Sequence, residues 1–105
     1  MIRATLLTRK KHLCGFEIQG HAGYAEQGRD IVCAAVSSAV YLTANTLTDV
    51  CGFRAEIQEN EGRLSVMLAS GEEAAAQVTL KGLRLHLEGL QAQFPTYIQL
   101  QLTEV

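Results

Sequence analysis

Tryptophan is absent from this 105-residue chain, proline occurs once (Pro95), and cysteine occurs three times with no close CxxC pair. Three widely spaced thiols, Cys14, Cys33 and Cys51, build neither a disulfide framework nor a zinc ribbon. Each must be judged alone in a reducing compartment. Charge of one sign is also missing, since nine Lys and Arg face eleven Asp and Glu for a formal net charge of −2. No global basic field recruits nucleic acid, so no direct nucleic-acid binding is expected. The one basic cluster, Arg9 to His12, reads as a solvated hairpin turn. Long apolar runs are lacking as well: Ile31 to Thr48 carries no charge but is broken by Ser, Thr and Asn, short of the ~20 apolar residues of a membrane span. A few apolar residues followed by "TRKKH" make no secretory signal. The expectation is a protein of the cytoplasm with no membrane segment.

What is present predicts one domain over residues 1–105, at 48% hydrophobic content. Ile2 to Thr8 and Leu13 to Gln19 have strand-like apolar character around the basic turn, an N-terminal β-hairpin. From Gly20 to Arg29 the pattern dissolves into a loop with Gly20, Gly23 and Gly28, expected to be mobile. Beyond it Val32, Val36, Ala39, Val40, Thr43, Leu47 and Val50 recur at helical steps. Asp30 is placed to cap this helix, because its carboxylate can accept from orphaned backbone N–H groups. Cys51-Gly52 supplies the stop. The segment "RAEIQENEGRLSVMLA" alternates around Asn60-Glu61-Gly62 as a second hairpin. Glu72 to Phe94 reads as a second helix with apolar positions Val78, Leu83, Leu85, Leu87 and Leu90, closed by Pro95. Tyr97 to Val105 alternates as a last strand. The order ββαββαβ predicts an α+β fold, a mainly antiparallel five-stranded sheet with two helices.

Chemistry concentrates on the two flanks of the glycine loop. With Asp30 as the cap, Cys33 falls in the first helical turn, where unsatisfied N–H groups and the macrodipole favour an anion. A thiolate is such an anion, and the thiolate is the nucleophile. His21, at the other end of the loop, could take the thiol proton and return it to a leaving group. Amides near Cys33 could hold an oxyanion. Ser37 shares the helix face of Cys33, one turn on. Asp30 could also orient His21.

Blander readings stand beside this one. A cysteine among Val32, Ala34 and Ala35 can be a small buried hydrophobe, and a loop histidine a surface residue. Cys14 and Cys51 have no base near them in sequence, while His12 and His86 read as turn and helix-surface residues. A zinc site from His12, Cys14, His21 and Cys33 lacks paired-ligand spacing, and the loop has no GK[ST] ending for phosphate. No metal or cofactor is expected. A non-catalytic binding module and a thiol redox sensor remain as alternatives.

The run "GHAGYAEQGRDIVCAAVSSAV" resembles the hallmark segment of the ribosomal-processing cysteine protease family, Prp. The shared elements are Gly20-His21-Ala22, Gly28, and Asp30-Ile31-Val32-Cys33-Ala34-Ala35-Val36-Ser37. The chain length and element order are also similar to the family's. What the resemblance implies is a cysteine endopeptidase with a His21 and Cys33 dyad, usually a homodimer. Its implied substrate is the precursor of the large-subunit ribosomal protein L-twenty-seven, from which a short N-terminal extension is removed. An extended substrate read through apolar pockets and a sheet edge fits both the resemblance and the strand-rich pattern.

Overall fold

The computed structural model describes residues 1–105. Strands β1 (Ile2–Arg9) and β2 (His12–Gln19) form the first hairpin, α1 spans Ile31–Asn45, and a π-helical turn, Thr46–Val50, extends it. Strands β3 (Ala55–Asn60) and β4 (Arg63–Leu68) form the second hairpin, followed by α2 (Glu73–Gln93) and β5 (Ile98–Glu104). The predicted order ββαββαβ holds. The sheet order is β3-β4-β2-β1-β5, and it is mixed: β5 runs parallel to β1, while the other three pairs are antiparallel. Connectivity explains this correction. α2 returns across the sheet after β4, so the strand that follows it must run in the direction of β4, which is also that of β1.

One face of the sheet carries the core. Ile2, Ala4 and Leu6 of β1, Phe16 of β2, Leu64, Val66 and Leu68 of β4, and Ile98 of β5 are buried in a single cluster with residues of both helices. Alternate residues such as Glu17, Arg63, Thr5 and Gln101 lie on the opposite face, where Arg63 pairs with Glu17 at 2.8 Å and Gln101 bonds Thr5. The alternation breaks once. Leu7 pairs with Gly15 and Thr8 with Leu13, leaving Cys14 as the extra residue of a bulge. Leu13 and Phe16 can therefore both enter the core although three residues apart. Cys14 is fully buried in this kink, and burial pushes its thiol up against the opposing pull of Arg9.

Both helices bury narrower stripes than their sequences suggest. α1 buries Val32, Val36, Val40, Thr43 and Ala44, and the π turn buries Leu47. Val50 does not follow them: the Cys51 N–H bonds back to Thr46 O, an i to i+5 turn that rotates Val50 off the stripe, and it is 79% exposed. In α2 the core face is Ala76, Leu80, Leu83 and Leu87. Val78 and Leu85, expected on that face, are 85% and 72% exposed, because each lies two residues, about 200°, from it. The helical stretch Ile31–Val50 is also long and apolar enough, by length and composition, to cross a membrane, contrary to expectation. Here its apolar stripe is spent on the sheet.

Gly89 of α2 has open space where a Cβ would stand. No close approach uses it, so Gly89→Ala is expected to stabilise the fold by about 0.5–1 kcal/mol through reduced chain entropy and better helix propensity. Urea titration checks this, and a loss of stability would show that the glycine has a packing role elsewhere.

Candidate active site

The site is built at the sheet end where β2 stops. Gly20 leaves β2 with a φ of 88°, and a Cβ there would stand 2.5 Å from Met1 O. The glycine is needed for both conformation and space. Its N–H bonds Gly62 O at 2.9 Å, and the Met1 amino group donates to His21 O at 2.6 Å. The loop thus begins clamped between the start of β1 and the turn of the second hairpin. Gly23 and Gly28 also have positive φ, 70° and 89°. Between them Tyr24, still exposed, meets Phe94 and Tyr97 edge-on with ring centroids 5.9 and 5.2 Å away.

Asp30 closes the loop onto α1. One carboxylate oxygen accepts from Val32 N and Cys33 N, each at 3.0 Å, and the other from Tyr24 N at 3.1 Å. The capping role read from the sequence is what the geometry provides, and the carboxylate makes no bond to His21. These bonds, above all the one from Cys33 N and then that from Tyr24 N, hold the Asp30 carboxyl below its usual range, with desolvation opposing them. A depressed folded pKa means that this stabilisation is present above the ordinary aspartate range and lost as pH falls through the depressed value. The Tyr24 and Cys33 amides are therefore expected to titrate together in NMR spectra, with one midpoint below the ordinary aspartate range. Independent or absent titration would contradict a shared carboxylate.

Cys33 sits partly buried in the first turn of α1, and its sulfur accepts from Ala22 N at 3.2 Å. That amide follows directly on His21, so the loop places a donor on the sulfur. The expected oxyanion donors near Cys33 are otherwise engaged: Val32 N and Cys33 N serve Asp30, and Ala34 N bonds Asp30 O. The cap has taken the amides that were expected to be free. His21 makes no hydrogen bond to Cys33; a Cβ on Gly62 would stand 3.5 Å from its Nε2, which places the ring against the second hairpin turn.

His21, Cys33 and Ser37 nevertheless open into one cleft of about 200 Å³. Its helix wall is Cys33, Val36, Ser37, Val40 and Tyr41, its floor includes Ile2, Ile18 and Leu64, and its far wall is the second hairpin at Glu59, Asn60, Gly62 and Arg63. Tyr41 reaches across, its hydroxyl donating to Glu59. Tyr41 was legible in principle, eight residues after Cys33 on the same face, whereas Glu59 enters only through the sheet order. Cys14 and Cys51 lie outside the cleft, as do His12 and His86. No three His, Cys, Asp or Glu side chains converge as a metal cluster.

A family model for the cysteine protease Prp matches residues 1–99. The chain belongs to this family. It is similar to the ribosomal processing cysteine protease Prp of Bacillus subtilis (strain 168), with 31% identity over 101 residues and 90% of each chain covered. Its fold is similar to that of an essential ribosomal processing protease Prp from S. aureus, solved in complex with a covalently linked product peptide. There the TM-score is 0.90 at 22% identity, over 98% of this chain and 100% of that one. A protein from Streptococcus mutans matches with a TM-score of 0.84 and 28% identity, over 100% and 96%. The resemblance read from residues 20 to 40 therefore extends over residues 1–99, and the chain is a cysteine protease.

Proposed function

We propose that this protease removes the N-terminal extension of ribosomal protein L-twenty-seven, with Cys33 as nucleophile and His21 as proton carrier. The observation that carries this reading is that the two residues, from opposite flanks of one loop, open into the same cleft, with an amide already on the sulfur. The names of the relatives, ribosomal processing proteases, support the substrate class. In the reaction His21 takes the thiol proton, and the Cys33 sulfur attacks the scissile carbonyl carbon. Collapse of the tetrahedral adduct breaks the C–N bond, His21 protonates the departing amine, and water then hydrolyses the thioester. Because His21 and Cys33 are not hydrogen-bonded, the Gly20–Arg29 loop shifts when a peptide is seated, and the Tyr24 amide reports that shift. The protein works in the cytoplasm as a homodimer, without a cofactor, on an extended peptide whose apolar side chains fill the Ile2, Ile18 and Leu64 floor.

The test is mass spectrometry of the precursor incubated with the enzyme, beside the same ribosomal protein without its extension and an unrelated unfolded protein. A single cut confined to the precursor is the expected result. An intact precursor, or equal digestion of all three, would overturn the substrate.

A further inference from the structure

The cleft has one acidic side chain, Glu59, and it lies at the end remote from Cys33. Arg63, the other charged lining residue, is spent on Glu17 at 2.8 Å. Glu59 bonds only the Tyr41 hydroxyl, through one carboxylate oxygen, and its second oxygen has no protein partner. The Tyr41 phenol is pushed up, first by its hydrogen bond to Glu59. Tyr41 ties α1 to β3, the edge strand, and so marks the outer boundary of the cleft.

Position along α1 sets what reaches this pair. Eight residues separate Tyr41 from Cys33, about 12 Å at 1.5 Å per residue. An extended peptide advances about 3.3 Å per residue. A substrate lying along the helix wall from Cys33 therefore brings the side chain three or four residues from the scissile bond to the Tyr41 and Glu59 pair. The intervening wall and floor, Val36, Val40, Ile18 and Leu64, offer no charge.

We propose that Tyr41 and Glu59 form a specificity-determining subsite that takes a hydrogen-bond-donating side chain, cationic or carboxamide, three or four residues from the cut, and rejects a carboxylate there. The subsite rests on the proposed peptidase reading of the cleft. Glu59 accepts the donor on its free oxygen, and Tyr41 holds the carboxylate in place. A substrate carboxylate would meet an acceptor of like charge with no cation at hand.

The experiment uses the Cys33→Ala protein, which cannot turn peptide over, titrated calorimetrically with capped decapeptides of apolar centre. These differ only by Lys, Gln, Ala or Glu at three or four residues from that centre. The Lys and Gln peptides are expected to bind about tenfold more tightly than the Glu peptide, which corresponds to about 1.4 kcal/mol. Adding Glu59→Gln should collapse that ratio to within about twofold, and Tyr41→Phe, which keeps the charge but frees the carboxylate, should reduce it part-way. An unchanged ratio in Glu59→Gln, or equal weakening of every peptide, would overturn the subsite while leaving the cleft a peptide site. Absence of binding by all peptides would overturn both the subsite and the peptidase reading of the cleft.

Discussion

Cleavage of the precursor by the Cys33→Ala variant is expected to fall by about 10⁴-fold or more, since the variant lacks the sulfur that attacks the peptide in the proposed mechanism. Cys33→Ser should do little better, because a hydroxyl without a strong base is a weak nucleophile. His21→Ala should lose about 10²–10⁴-fold, the usual range for a general acid and base. Neither change removes a fully buried residue: Cys33 only edges the core from a first helical turn whose cap is Asp30, and His21 is exposed. Circular dichroism and melting should therefore stay close to wild type. The double variant gives the sharper result. If the two residues act as one unit, Cys33→Ala with His21→Ala is no slower than Cys33→Ala alone; multiplying losses would mean that His21 works elsewhere. Substantial cleavage by Cys33→Ala would falsify the mechanism outright.

The geometry also weighs on the redox-sensor alternative. Cys51 stands at the far end of the helical stretch from Cys33, eighteen residues or about 27 Å along the axis, and Cys14 is wholly buried in the β2 bulge. A disulfide needs Cα atoms within about 7 Å. Cys33 therefore has no resolving cysteine along α1.

Local signals made the element order and the loop-and-cap arrangement legible. Asp30 at an N-cap, glycines at positive φ and Pro95 beyond α2 each act within a few residues, so a single sequence carries them. Non-local pairing was less accessible. Whether β5 joins parallel or antiparallel depends on where α2 crosses the sheet, which no alternation of Ile98, Leu100 and Leu102 records. Val78 and Leu85 are apolar but out of phase with the buried stripe of α2, and composition does not record phase, whereas Ala76 and Leu80 hold the buried face. At the candidate site, the placement of Cys33 in the first turn of α1 and of His21 at the start of the loop was readable from loop and cap chemistry. The oxyanion expectation failed because a cap that accepts from Val32 N and Cys33 N uses the donors that catalysis was expected to leave open. The opposite wall, Glu59 to Arg63, comes from a hairpin 26 to 30 residues beyond Cys33 in sequence, outside the reach of any spacing argument.

Gly15→Ala is expected to be the most damaging single-methyl change to the fold. A Cβ at Gly15 would stand 2.1 Å from Val66 O and 3.0 Å from Met67 Cα, both backbone atoms of β4. No rotamer change relieves that contact, so β2 and β4 must separate or the adjacent Cys14 bulge must rearrange. Both strands lie inside the sheet, with β3 hydrogen-bonded beyond β4 and β1 beyond β2, so a local shift propagates to two further ladders. Overpacking of this kind costs about 3 kcal/mol, which for a domain near this size lowers Tm by roughly 10–20 °C. Activity should suffer beyond the stability loss, because β2 ends at the His21 loop and β4 begins beside Gly62, whose carbonyl anchors Gly20. The comparison is with Gly89→Ala, which adds the same methyl to open space and should move Tm the other way. Calorimetry of the two variants side by side decides it: a Gly15→Ala protein that melts within a few degrees of wild type would mean that β4 yields at this point, and that the glycine is not what sets the spacing between the two hairpins.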